Sequence, residues 1–350
     1  MKTAEPLFEF ETGGLSARAI PARGSSVLAV VFSQVRVPRG SFGLSRLFAR
    51  TAHACLFLNQ PDNAWYRGAE KAVDDAIARA ADLCRPDRIV LYGSSMGGWG
   101  ALSAAARHPG ADAVVFAPDF RIGEPGSRSA EAGLRPEAAD PDLAALLAVP
   151  RTGTVDILIG LFDPYDAGVA VRVAALPLPR SVRLVTAASA HEIHDHLYSV
   201  NVVRRIISTF TRDPAVEVAA RGLALPLDNS PAYAAFARLA GELAAGRPPD
   251  PDAIDALGLS GNPGVALLKA EALAAGGHVR EALDLLAALD VGIEASTVLS
   301  TLPKRYRKQV PRRRIEWLDG LGRHAEAQKV ATTAGAVFPN DQDFAARARN

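Results

Sequence analysis

Between a short apolar run and an alanine-rich stretch stands Gly93-Ser94-Ser95-Met96-Gly97-Gly98. The spacing Gly-x-Ser-x-Gly lets a serine hydroxyl attack a carbonyl carbon when the chain turns sharply from strand to helix, because only small flanking residues lift the side chain clear of the sheet. The neighbouring residues supply that context: 88–92 reads as a strand, and 97–107 as an Ala-rich helix ended by His108-Pro109-Gly110. Ser95 then lies at the helix start, where free amides and the helix dipole favour an oxyanion, with the Met96 N–H as one donor. A serine hydroxyl is a weak nucleophile unless a histidine takes its proton and a carboxylate orients that histidine. Three histidines cluster in His191-Glu192-Ile193-His194-Asp195-His196. Their spacing does not fit a metal: His-Glu-x-x-His needs a histidine where Asp195 stands, and His-x-His-x-Asp-His needs one at Ile193. No metal and no other cofactor is expected.

With this motif between strand and helix, the sequence resembles the α/β-hydrolase superfamily over roughly residues 20–212. The resemblance implies the chain order serine, acid, histidine, each at the carboxyl end of a strand. Forward from Ser95, the strand at 155–160 runs into Leu161-Phe162-Asp163-Pro164-Tyr165-Asp166. Asp163 stands where the superfamily keeps its acid, Asp166 is the near alternative, and Asp119, just past the preceding strand, is a remoter one. After the strand at 182–186, His191 is the first histidine and the expected base, with His194 second. The second oxyanion donor is expected from the loop beginning at Ser33-Gln34. The implied activity is hydrolysis of an ester through an acyl-enzyme by Ser95, His191 and Asp163, and a thioester would suit the same chemistry. The reading from another class is a non-catalytic adaptor with this fold, binding a protein partner through its C-terminal part.

Asn63, Trp65 and Tyr66 follow a strand on the active-site edge, and an aromatic face beside an amide suits a sugar ring. Their Asn-x-Trp-Tyr pattern resembles bacterial α/β-hydrolases linked to surface-glycan assembly and secretion, which implies a deacylase acting on a glycan or other acylated substrate. Trp65 and Tyr66 serve equally well to pack their loop onto the next helix.

The elements that must position these groups read as an α/β fold with a mostly parallel, doubly wound sheet and a smaller all-α helical-hairpin domain. Strands are expected at 27–32, 54–58, 88–92, 113–117, 155–160 and 182–186, as continuous apolar runs suited to a sheet covered on both faces. Helices are expected at 68–84, 97–107 and 197–210, and the Gly-, Pro- and charge-rich 118–150 as an insertion. Strand signals stop beyond Asp213-Pro214, which divides the chain into 1–212 and 213–350. In the second part, Leu273 to Leu283 and Leu318 to Gln328 resemble the helical hairpin of tetratricopeptide repeats, with a weaker copy ending at Arg247. Their turn glycines, Gly246, Gly277 and Gly322, are irregularly spaced for a repeat of about 34 residues. The basic run 304–314 reads as a solvated face.

The 350 residues carry 39 basic and 38 acidic side chains, a formal charge of +1. That balance argues against a generic nucleic-acid-binding surface. A 49% hydrophobic content rules out disorder of the whole chain. Two cysteines, Cys55 and Cys84, make no disulfide framework. No apolar run is long enough to span a bilayer, and the first 21 residues lack the apolar stretch of a secretory signal, so a cytoplasmic protein is expected.

Overall fold

The computed structural model describes residues 5–348. Eight strands form one sheet: β1 (Phe8–Thr12), β2 (Leu15–Ile20), β3 (Val27–Phe32), β4 (Ala54–Asn59), β5 (Arg88–Ser94), β6 (Asp112–Phe116), β7 (Val155–Gly160) and β8 (Val182–Ala187). Their order is β1-β2-β4-β3-β5-β6-β7-β8. The pairs from β4 to β8 are parallel, while β1 and β2 join antiparallel at one edge. All six strands read from the sequence are present. The β1–β2 hairpin is additional, so the sheet starts at Phe8 rather than near residue 20. Its turn is Gly13-Gly14, both at positive φ (56° and 75°), the backbone a two-residue hairpin requires.

Successive strand residues face opposite layers. Leu28, Val30 and Phe32 join one apolar core, and Ala29 and Val31 the other. Against the first face lie α2 (Glu70–Cys84), α3 (Met96–Arg107) and α6 (Pro164–Ala174), and against the second α1 (Ser45–Phe48), α7 (Ile193–Ser199) and α8 (Val202–Thr209). Val73, Ala76, Ile77 and Ala80 give α2 one buried stripe. The expected helix at 197–210 is broken at Asn201, which takes a left-handed backbone (φ 67°). The 118–150 insertion holds two short helices, α4 (Arg128–Glu131) and α5 (Leu143–Leu147).

From residue 213 onward the chain is almost wholly helical: α9 (Pro214–Ala219), α10 (Ser230–Ala244), α11 (Pro251–Asp255), α12 (Pro263–Ala275), α13 (Val279–Ala295), α14 (Lys304–Arg307), α15 (Gln309–Gly320), α16 (His324–Val337) and α17 (Gln342–Arg347). The dipeptide at 213–214 ends the sheet's helical layers but not their core. Ala188 N–H donates to Leu223 O at 2.8 Å, and α10 packs on α6 with Tyr233, Phe236 and Leu239 inside the first core. Two helical hairpins form, α12–α13 and α15–α16, turning at Gly277 (φ 87°) and Gly322 (φ 72°). The weaker copy does not, because α10 is followed only by the five-residue α11. Between the two hairpins a 3-10 turn (Leu299–Thr301) and α14 leave the stack, and Leu302 and Tyr306 pack on Phe162 and Ala190. That excursion accounts for the long interval between Gly277 and Gly322.

Candidate active site

Ser95 follows β5 as the N-cap of α3, with φ 53° and ψ −119°, a positive-φ backbone that a non-glycine residue adopts only when its surroundings impose it. The surroundings are its flanking glycines. A Cβ on Gly93 would run into the Gly97 carbonyl, and one on Gly97 into the Phe32 carbonyl. Ser95 N–H donates to Phe116 O at 2.9 Å, which ties the turn to β6.

His191 spans the gap between Ser95 and the Asp166 carboxylate. Its Nε2 lies 3.0 Å from Ser95 Oγ, and its Nδ1 lies 3.0 Å from Asp166 Oδ2. Asp166 is 1% exposed at the first turn of α6. Burial pushes its carboxyl above the usual range, and the facing imidazole draws it partly back. Burial disfavours the charged form of His191 as well, but the Asp166 carboxylate outweighs this and holds the imidazole above its ordinary value.

The structure therefore places Asp166, not Asp163, on His191. Asp163 is the N-cap of α6: its Oδ1 accepts the Asp166 N–H at 3.0 Å, and its Oδ2 accepts Arg128 Nη2 at 2.6 Å. Its dipeptide carries a signal for this, since Asp followed by Pro is the N-cap and N1 pair of a helix start. Asp119 is also otherwise engaged, accepting the amides of Arg128 (3.3 Å) and Ser129 (2.7 Å) at the start of α4. Arg128 was not legible as a site neighbour, because it lies in an insertion whose path composition does not set.

On the oxyanion side, Met96 N–H has no protein acceptor among the described residues. The Ser33 N–H is unavailable, since it donates to Leu58 O at 2.9 Å. The Gln34 N–H, next along the chain, has no acceptor among the described residues and follows the backbone against which Gly97 packs.

The other histidines do different work. His194 lies edge-on to Phe116 and Tyr92, its Nδ1 3.2 Å from Asp195. His196 is fully buried between Ser189 Oγ (3.0 Å) and Thr301 Oγ1 (2.8 Å). Among the described residues no group of three or more His, Cys, Asp or Glu side chains is placed to hold a metal ion.

The expected substrate wall is instead packing. Trp65 is fully buried, Tyr66 donates its hydroxyl to Ser33 O (2.9 Å) and Leu58 O (3.1 Å), and Asn63 Oδ1 accepts the Arg36 N–H at 2.8 Å. The basic run is largely paired within the chain: Lys308 and Arg312 meet Asp341, Arg313 meets Glu271, and Arg314 meets Asp290. Among the described residues no helix is long and apolar enough to cross a membrane.

Strand order, the strained serine between β5 and α3, and the histidine after β8 together make this an α/β-hydrolase fold with a C-terminal helical region. No family model and no curated protein matches the chain. Solved structures with a likeness include the capsule O-acetyltransferase of Neisseria meningitidis serogroup A, at 14% identity and TM-score 0.42 over 56% of this chain and 93% of that one. An alpha-beta serine hydrolase homologue from Coxiella burnetii has 14% identity and TM-score 0.40, over 61% of this chain and 99% of that one. Est1E from Butyrivibrio proteoclasticus has 15% identity and TM-score 0.42, over 61% of this chain and all of that one (100%). The fold is carried by the chain's own strand order and elbow, and no activity passes from these proteins to this one.

Proposed function

We propose that the protein is a serine hydrolase that cleaves a carboxylic ester through an acyl-enzyme, with Ser95 as nucleophile, His191 as base and Asp166 as acid. The supporting observation is the single imidazole that lies within hydrogen-bond distance of both Ser95 Oγ and a buried carboxylate. Ser95 Oγ attacks the ester carbonyl carbon while His191 Nε2 takes its proton, and Asp166 holds the Nδ1–H and balances the imidazolium charge. The tetrahedral oxyanion is received by the Met96 and Gln34 amides. Collapse breaks the bond to the alcohol oxygen, which leaves with the proton from His191. Water, deprotonated by the same Nε2, then releases the acid and restores Ser95. Arg128 neutralises Asp163, so that carboxylate does not compete for the imidazole.

A glycan has no support from Trp65 and Tyr66, which are buried in packing, or from Asn63, whose Oδ1 takes the Arg36 amide, so the proposal stops at the ester. The test is labelling by a fluorophosphonate together with hydrolysis of a short p-nitrophenyl ester. Labelling that Ser95→Ala abolishes is the expected result. A wild-type chain that neither labels nor turns over would favour a non-catalytic adaptor.

A further inference from the structure

Two polar side chains of the helical region, Asn262 and Thr301, bond towards the loops that carry the acid and the base, at two points. At the first, Asn262 Nδ2 donates to Leu161 O at 2.9 Å, and Asn262 Oδ1 accepts the Gly264 N–H at 2.9 Å. Gly264 sits so tightly on Phe162 that a Cβ there would meet the Phe162 carbonyl. At the second, Thr301 reaches His196, and His196 reaches Ser189, two residues before His191.

Donor and acceptor roles at the second point follow from counting protons. Thr301 has one hydroxyl proton, and its oxygen lies 2.6 Å from Val298 O, which can only accept. The Thr301 oxygen is therefore left to accept from His196 Nε2–H. Burial holds the His196 imidazole neutral, pushed down to about 4, so it carries one proton and its Nδ1 must accept from Ser189 Oγ–H. The relay thus has one direction, Ser189 to His196 to Thr301 to Val298 O, and leaves none of its members unsatisfied.

Ser189 is the joint between the two loops. Its carbonyl accepts the Phe162 N–H at 2.8 Å, one residue before the cap Asp163, and the backbone of 189–190 lies directly over Gly160. A shift of Ser189 moves the base-bearing and acid-bearing loops together.

We propose that Thr301, in the segment inserted between the two helical hairpins, is a positioning residue that sets the His191–Asp166 geometry through His196 and Ser189. The inference rests on the triad reading above, and it makes the inserted segment part of the site's support rather than a spacer. Replacing Thr301 by Val keeps the shape but leaves the buried His196 Nε2–H without an acceptor, a fault the loop relieves by moving.

The experiment uses the full chain and two readouts. The first is the titration of the His191 ring nitrogens in protein labelled with 15N-histidine, which needs no turnover. The second is steady-state hydrolysis of a p-nitrophenyl ester. Thr301→Val should displace the His191 titration and lower kcat by roughly tenfold to a hundredfold, the scale of a small misplacement, with KM within about twofold. Thr301→Ser, which keeps the hydroxyl, should restore both. Leu318→Ala, in the distant α15–α16 hairpin, should lower Tm and leave both readouts unchanged. If Thr301→Val fails to fold, Ser189→Ala cuts the same relay from its other end with the same expectation. A relay variant whose His191 titration and kcat match the wild type overturns the proposal, and so does a kcat loss in Leu318→Ala equal to that in Thr301→Val. A wild type inert towards esters whose His191 titration still moves in Thr301→Val refutes the hydrolase reading while upholding the positioning role.

Discussion

Asp163 Oδ1 accepts the backbone N–H of Asp166 at 3.0 Å, so the first carboxylate of the loop caps the helix whose first turn delivers the second to His191. Exchanging each for its amide separates cap from acid. Asp166→Asn should lower kcat by about 10⁴, since the imidazole loses the partner that fixes its tautomer and charge. Asp163→Asn should cost less than about tenfold, because Asn remains a good N-cap and only the Arg128 pair is lost. The pH profile gives an independent sign. The base works when neutral, so kcat/KM rises with pH through the His191 pKa, which Asp166 holds above the ordinary imidazole value. Without that carboxylate, the residual activity of Asp166→Asn should show its acid limb at lower pH than the wild type. An unmoved limb would separate Asp166 from the base.

Which parts of this were legible in sequence depends on how local each signal is. The turn was, because Gly93, Ser95 and Gly97 are fixed by one strand-to-helix junction, and so was the placement of His191, the first histidine after the last strand, beside Ser95. The carboxylate on His191 is Asp166, which the sequence offered second, three residues beyond Asp163. Chain order locates the loop after β7, while the choice within it depends on helix capping and on Arg128, which arrives from 35 residues away. Ser33 was named as an oxyanion donor without sight of the sheet hydrogen bond that occupies its amide. The β1–β2 hairpin had a signal in Gly13-Gly14 between alternating residues. Nothing in composition tells that Thr301 meets His196, a contact between residues 105 apart.

Ser95→Ala should abolish fluorophosphonate labelling and ester turnover with Tm within a few degrees of wild type, since the hydroxyl serves chemistry and the strained backbone remains. His191→Ala should lower kcat by about three orders of magnitude or more. His194→Ala should instead act on stability, by about 1 to 3 kcal/mol, because its ring is wedged between Phe116 and Tyr92. Turnover in His194→Ala below that of His191→Ala would move the base.

The elbow glycines are steric requirements with a thermal signature. Gly97→Ala places a methyl group against the Phe32 carbonyl, where rigid backbone stands on both sides. A loss of more than about 2 kcal/mol is expected, read as a lower urea midpoint at unchanged slope. Gly241→Ala, on open helix surface, should be neutral or slightly stabilising. Equal effects of the two changes would show that the elbow does not need its close approach.

His196 makes stability depend on acid. Burial pushes its folded value down to about 4, below the ordinary imidazole value of about 6.5, so between these two pH values the unfolded chain binds a proton that the folded chain refuses. Its contribution is complete above 6.5 and is lost as pH falls towards 4, a change of about 3 kcal/mol at most. Urea unfolding of the wild type and His196→Gln at pH 7.5 and 4.5 isolates it from the other titrating groups. The wild type should lose roughly 2 to 3 kcal/mol more than the variant. A parallel loss in both would mean that His196 is protonated in the folded state.

Cutting the chain at 212 tests whether the sheet and its helices stand alone. The first core is closed by Tyr233, Phe236 and Leu239 of α10 lying on α6, with Phe236 wholly buried. The acid loop is held by Asn262, and the joint at Ser189 is held through Thr301. Removing 213–350 therefore bares an apolar helix face and releases both loops, and an uncovered patch of that kind drives association. Residues 1–212 should aggregate, or give a species that binds a hydrophobic dye and does not turn over a p-nitrophenyl ester. A soluble, monomeric fragment with wild-type kcat would show that the helical region is an appended module and that its contacts with the acid and base loops are incidental.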